Sequence, residues 1–119
     1  MIRRALVVGG VLALAAPAWA ASSRPPVAIG VAEQEFHITA YRKTVAPGRV
    51  RVNVQNLGQD THNLVVRGPR GYLLQGPDVR AGQRATVNAK LLRPGTYMLL
   101  CTRANHEALG MWTKITVRR

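Results

Sequence analysis

One cysteine, five acidic residues and six aromatic rings are all that this chain of 119 residues contains of those types, and each shortage excludes something. A lone thiol, Cys101, forms no internal disulfide, so the fold rests on its core and not on covalent staples. With so few rings, that core has to be built from Val, Leu, Ile and Ala. Aromatic side chains interleaved with cations, the stacking platform of single-stranded nucleic-acid binders, are missing, and nucleic acid is set aside as a partner. The longest apolar run, Ala5 to Ala16, falls short of the roughly 20 residues that a membrane-spanning helix needs. There is no internal repeat and no low-complexity tract.

Positive charge and turn residues are what the chain has in plenty. The first segment, residues 1–20, reads as a secretory signal peptide: Arg3 and Arg4, then the apolar run, then Ala18-Trp19-Ala20 as a small-x-small cleavage pattern. No cysteine adjoins the cleavage point, so a lipoprotein anchor is not indicated. Residues 21–26 read as a flexible, proline-bearing leader, and residues 27–119 as one domain, expected to be a monomer. Export places the chain in the periplasm or outside the cell, with no stable membrane span after cleavage. Cleavage removes two arginines and no acid, which leaves 15 basic residues against 5 acidic ones and a formal charge of +10. Such an excess favours acidic partners or anionic surfaces and says nothing about fold.

The domain alternates between polar and apolar residues. Arg49-Val50-Arg51-Val52-Asn53-Val54-Gln55 sets three valines on one face, the period of a half-buried strand. Similar runs occur over Glu35 to Ala40, Leu64 to Arg67, Arg84 to Ala89, Thr96 to Cys101 and Thr113 to Val117. Turn signals separate them at Pro47-Gly48, Asn56-Leu57-Gly58, Gly68-Pro69, Gly76-Pro77-Asp78, Ala81-Gly82 and Pro94-Gly95. Short strands at close spacing, with no long helical period, predict an all-β fold, an antiparallel sandwich or barrel.

In an oxidising compartment a lone cysteine is buried and inert, paired with another chain, or bound to something. Its neighbours favour the last. In "CTRANHEALGM", residues 101–111, a histidine follows Cys101 by five residues and a methionine follows the histidine by five. Steps of five at about 100° per residue would scatter the three side chains around a helix, and in a strand they would alternate between faces. A loop can gather them. Tyr97 to Cys101 ends one strand at the thiol, Asn105 and Gly110 permit tight turning, and another strand begins near Trp112. Alternation then sets Cys101 on the face of Tyr97 and Leu99, and Met111 on the face of Thr113, Ile115 and Val117, both sulfurs pointing inward at one end of the sandwich. Thiolate, imidazole and thioether together describe a copper site that needs a further histidine. His62, where a loop meets the strand Leu64-Val65-Val66, is favoured over His37, which lies mid-strand.

Two blocks, "PGRVRVNVQNLGQDTHNLVV" and "LRPGTYMLLCTRANHEALGMWTKITV", resemble the copper-binding segments of the cupredoxin family, the small blue copper proteins that include plastocyanin, pseudoazurin and azurin. The resemblance covers about half of residues 21–119 directly. It implies a Greek-key β-sandwich and one type 1 copper ion cycling between Cu+ and Cu2+, with His62, Cys101 and His106 as trigonal ligands and Met111 as the weak axial one. It also implies that Asn63 helps hold the cysteine sulfur, beside a plain turn role for that residue. The step from Cys101 to His106 is longer than in plastocyanin-like members, and that from His106 to Met111 longer than in azurin.

A site with these donors suits both copper oxidation states, so little has to move with the electron and no position stands open for a substrate. The expected function is therefore an electron carrier and not an enzyme, its basic surface steering it toward acidic redox proteins such as cytochromes or oxidases. A copper chaperone or storage module is the alternative, and a purely structural β-sandwich the third reading. A zinc hydrolase is rejected, because Met111 suits zinc poorly and no general base is in evidence. Of the remaining residues, Arg103 is read as solvated or as raising the potential, Glu107 as a solvated loop acid, and Met98 as packing. Trp112 either covers the edge of the site or fills the core. Asp60 is an oxygen donor only if the metal were zinc.

Overall fold

A computed structural model describes residues 5–15 and 24–119. Residues 5–15 have no regular secondary structure and their large apolar side chains are exposed. Parts of the predicted signal peptide and leader, residues 1–4 and 16–23, lie outside the described residues. Among the described residues no helix is long and apolar enough to cross a membrane.

From Val27 onward the chain forms nine strands: β1 (Val27–Gln34), β2 (His37–Ala40), β3 (Thr44–Val45), β4 (Gly48–Asn56), β5 (His62–Arg67), β6 (Leu73–Val79), β7 (Arg84–Leu91), β8 (Gly95–Leu100) and β9 (Trp112–Val117). They build two sheets, one in the order β2-β1-β4-β7 and the other in the order β3-β9-β8-β5-β6. The expected sandwich is present, but it is not wholly antiparallel, since β1 runs parallel to β4 and β3 parallel to β9. These pairs join strands that are not neighbours in sequence, so no hairpin signal announces them.

Alternation explains the core. β4 reads exposed-buried along Arg49 to Val54, with Val50, Val52 and Val54 all about 1% exposed or less. They share one apolar cluster with Ile29 and Val31 of β1, Leu64 and Val66 of β5, Tyr97 and Leu99 of β8, and Ile115 and Val117 of β9. Burying each such aliphatic side chain stabilises the fold by roughly 1.5–3 kcal/mol.

Three strands escape the sequence pattern. β1 carries Glu33 at an inward position, which breaks its apolar series, and β3 is only two residues long. β6 contains Gly76-Pro77-Asp78, expected to be a turn. As an edge strand β6 tolerates a proline that donates no ladder hydrogen bond. Its register against β5 shifts between Asn63 and Val65. Gly76 sits at that shift, where a Cβ would stand 2.6 Å from the Leu64 carbonyl oxygen. β2 begins at His37, two residues later than the alternation suggested, because Glu35 and Phe36 form the turn out of β1.

Candidate metal centre

The pairing of β8 with β9 sets the first two residues of the site. Leu100 pairs with Trp112 at the end of the ladder, and one step beyond it the Cys101 amide donates to the Met111 carbonyl at 3.1 Å. Cys101 and Met111 are thus side by side, both fully buried and both in the core cluster, as the alternation required.

Between them the chain winds through linked turns. The His106 amide donates to Arg103 at 3.0 Å, and the Met111 amide donates to the His106 carbonyl at 3.0 Å, so the loop is closed upon the histidine. Gly110 takes φ 101°, as the turn needs, whereas the other left-handed residue is Ala104 at φ 45° and not Asn105.

His62 comes from the other block. It opens β5 opposite Val79 and is wholly buried. Its Nδ1 stands 3.2 Å from Nδ1 of His106 and 3.8 Å from Sγ of Cys101, and Sγ lies 3.5 Å from His106 Nδ1. The three donor atoms lie within 4.8 Å of one another, an arrangement that could hold a metal ion. His37 is exposed on β2 and takes no part.

The two ligand-bearing segments are laced together beside the thiol. The Thr102 amide donates to Asn63 Oδ1 at 2.8 Å, and Asn63 Nδ2 donates to the Thr102 hydroxyl at 3.0 Å. Burial pushes the Cys101 thiol above its usual range, and the backbone N–H groups of Asn63 and Arg103 oppose that rise by favouring the thiolate. Asn63 therefore acts on the sulfur through its main chain, while its side chain fixes the start of the loop.

Two residues without a signal in the sequence flank the histidines. Glu35 Oε1 lies 3.0 Å from His62 Nε2 and accepts the amides of Gln59 at 2.8 Å and Asp60 at 2.7 Å. These bonds, that of the Asp60 amide foremost, hold the Glu35 carboxyl down at about 2. The Phe36 ring lies against His106 with centroids 5.0 Å apart. One turn of chain between β1 and β2 thus touches both imidazoles.

The other candidates find ordinary places. Asp60 is exposed, with Oδ2 at 3.8 Å from His106 Nε2, and stands outside the donor cluster. Arg103 pairs with Asp78 at 3.1 Å, and Glu107 with Arg67 at 3.2 Å, all four side chains being close to half exposed. Met98 is half-buried. Trp112 is 42% exposed on β9, so it does not fill the core; Lys114 Nζ lies 5.8 Å from its ring centroid.

Chemically, a thiol and two imidazoles converging in a dry pocket, with a buried thioether one ladder step from the thiol, fit a single type 1 copper ion. Hard cations prefer oxygen donors, and the cluster presents none.

No family model matches the chain, and no curated protein matches it by sequence. Solved structures do match it in shape. An auracyanin from Roseiflexus castenholzii is 22% identical over 78% of this chain and 98% of its own, with a TM-score of 0.64. Auracyanin A of Chloroflexus aurantiacus, a blue copper protein, is 18% identical over 79% of this chain and 100% of its own, also at 0.64. A copper nitrite reductase from Nitrosomonas europaea is 16% identical, this chain spanning 49% of it, at 0.56. At these identities the likeness shows the fold, a cupredoxin β-sandwich.

Proposed function

We propose that this chain is an exported blue copper protein that carries single electrons, holding one type 1 copper ion between His62, Cys101, His106 and Met111. The observation that carries the reading is the approach of His62 Nδ1, His106 Nδ1 and Cys101 Sγ, 3.2 to 3.8 Å from one another, from segments tens of residues apart. When bound, copper supplies a one-electron couple whose two states both accept imidazole, thiolate and thioether donors.

The protein's own contribution is to hold those donors still and dry. His62 and Cys101 are sealed from water, and His106, at 7% exposure, is the one of the three that reaches the surface. The lacing of Asn63 to Thr102 and the bond from Met111 to His106 fix the loop from both ends. Donors that do not have to rearrange favour fast electron exchange, and their burial supports a resident ion over cargo to be handed on, as a chaperone would need. The likeness to auracyanin A, a blue copper protein, supports the copper reading.

Export to the periplasm or beyond is part of the proposal and rests on the signal-like residues 1–20. So is an acidic redox partner. All five acids are committed: Glu33 is buried, Glu35 and Asp60 face histidines, and Asp78 and Glu107 pair with arginines. The remaining cations keep their charge for a partner of opposite sign.

Visible and electron-paramagnetic spectra of the copper-loaded protein test the reading. An intense thiolate-to-copper band is expected, absent in Cys101→Ala, disrupted in His62→Ala and retained in His37→Ala. Colourless copper-loaded protein would overturn it.

A further inference from the structure

Glu35 is the acid whose surroundings are most elaborately built. A single oxygen, Oε1, receives two backbone N–H groups, from Gln59 and Asp60, and lies against His62 Nε2. The space it occupies exists because residue 58 has no side chain: a Cβ there would collide with both carboxylate oxygens. The loop carrying these groups is itself pinned, since Asn56 accepts the Gly58 amide at 2.8 Å and donates to the carbonyls of Asp60 at 2.7 Å and Val79 at 2.8 Å. The carboxylate therefore sits in a rigid cradle, reached from the turn between β1 and β2.

We propose that Glu35 is the positioning residue of the metal centre: its carboxylate accepts the Nε2–H of His62, which leaves the ring's Nδ1 lone pair aimed at Cys101 and His106, and its charge favours the more positive state of the bound metal. The first half stands on the cluster geometry alone, and the second rests on the copper reading above. A neutral imidazole carries one N–H, so fixing it on Nε2 decides which nitrogen remains a donor. With Nδ1 3.2 Å from His106 Nδ1 and 3.8 Å from the sulfur, that choice points the lone pair into the cluster. The same hydrogen bond fixes the orientation of the ring, and an anion this close offsets part of the charge gained on oxidation. Among the described residues His106 has no matching clamp, its Nε2 lying 3.8 Å from the exposed Asp60, so the two imidazoles are held unequally.

Two variants separate the parts. Glu35→Gln keeps an oxygen acceptor and removes the charge. Gly58→Ala keeps the charge and pushes the flexible end of Glu35 out of its cradle while leaving the sheets untouched. In metal-free protein, long-range proton–nitrogen NMR is expected to find the His62 proton on Nε2 in the native chain and in Glu35→Gln, and shared between both nitrogens in Gly58→Ala. Zinc, used as a redox-inert probe ion, is expected to bind 10 to 100-fold more weakly to Gly58→Ala, the usual cost of losing a partner of a ligating histidine, in order of magnitude. In Glu35→Gln loaded with copper, Cu2+ affinity is expected to fall about tenfold relative to Cu+, a rise in potential of about 59 mV for one electron. A native His62 protonated on Nδ1, or Gly58→Ala with unchanged tautomer and zinc affinity, would overturn the positioning role. An unshifted potential in Glu35→Gln would overturn the charge effect. If native protein takes up copper without a blue band, the copper reading fails, and the tautomer and zinc measurements still decide the role of Glu35.

Discussion

His62 and His106 meet Nδ1 to Nδ1 at 3.2 Å although 44 positions separate them in the chain. A hydrogen bond across that gap needs an N–H on one ring and a lone pair on the other, and a cation in the cluster replaces that single weak contact with bonds to both rings. Metal should therefore stabilise the fold by mass action. At a free concentration 100 times the dissociation constant the gain is about 2.7 kcal/mol, a rise in melting temperature of roughly 10–20 °C for a domain of this size. Calorimetry with and without copper checks it; Cys101→Ala should lose most of the gain and His37→Ala none.

Copper affinity should fall with acidity. The Cys101 thiol lies above its usual range through burial, yet it binds metal as the thiolate, so its proton must leave when the ion enters. Below the thiol pKa the apparent affinity should drop about tenfold for each pH unit. Titration calorimetry in two buffers of different ionisation enthalpy should count about one proton released per ion.

Two carboxyls separated by one residue should tilt the stability profile in opposite directions. Glu33 is fully buried with no hydrogen-bond partner for either oxygen among the described residues, and burial pushes it up to about 8. An acid raised in the folded state binds its proton more tightly there than in the unfolded chain. Stability is thus highest below the ordinary value of 4.5, falls by about 1.4 kcal/mol per unit as pH climbs toward 8, and then levels. Glu33→Gln should flatten that fall and melt higher than the native protein at pH 9, though not at pH 4. Glu35, held down at about 2, works the other way: its contribution is present above 4.5 and is lost as pH drops toward 2. Thermal melts across pH 2 to 9 on each single variant separate the two.

The Asn63–Thr102 lacing should be worth about 1–2 kcal/mol, taking 0.5–1.5 for each of its two hydrogen bonds and some loss to exposure. Asn63→Ala is expected to lower stability by that amount in urea and to broaden the copper band, because the Cys101 end of the loop is freed. Thr102→Ala, which keeps the bond from its own amide, should cost less.

Electrostatic steering should show in kinetics more than in affinity. Electron exchange with an acidic redox protein is expected to slow steeply as ionic strength rises, and reversing one exposed cation should change the association rate while leaving the reduction potential in place. Stopped-flow mixing across a salt series measures it.

Six of the nine strands follow from alternation, and β4 shows why: one face of Val50, Val52 and Val54 must be buried wherever the strand pairs. β1 was hidden by Glu33, an ionisable group at a core position, and β6 by a glycine and a proline that only an edge strand at a register shift can hold. At the site, Cys101, His106 and Met111 were legible because one loop between two paired strands confines them. His62 was legible as the histidine at a loop rim. Glu35 was not, since nothing local distinguishes it from any solvated acid beside a strand.

The sequence by itself determined an all-β fold and the inward direction of both sulfurs, because strand alternation is a local rule with a period of two. Only the tertiary structure decided that the turn after β1 would reach the loop before β5 and set a carboxylate on His62. That contact joins groups 27 residues apart, through a gap left by one missing Cβ at Gly58, and no periodicity records how two loops approach.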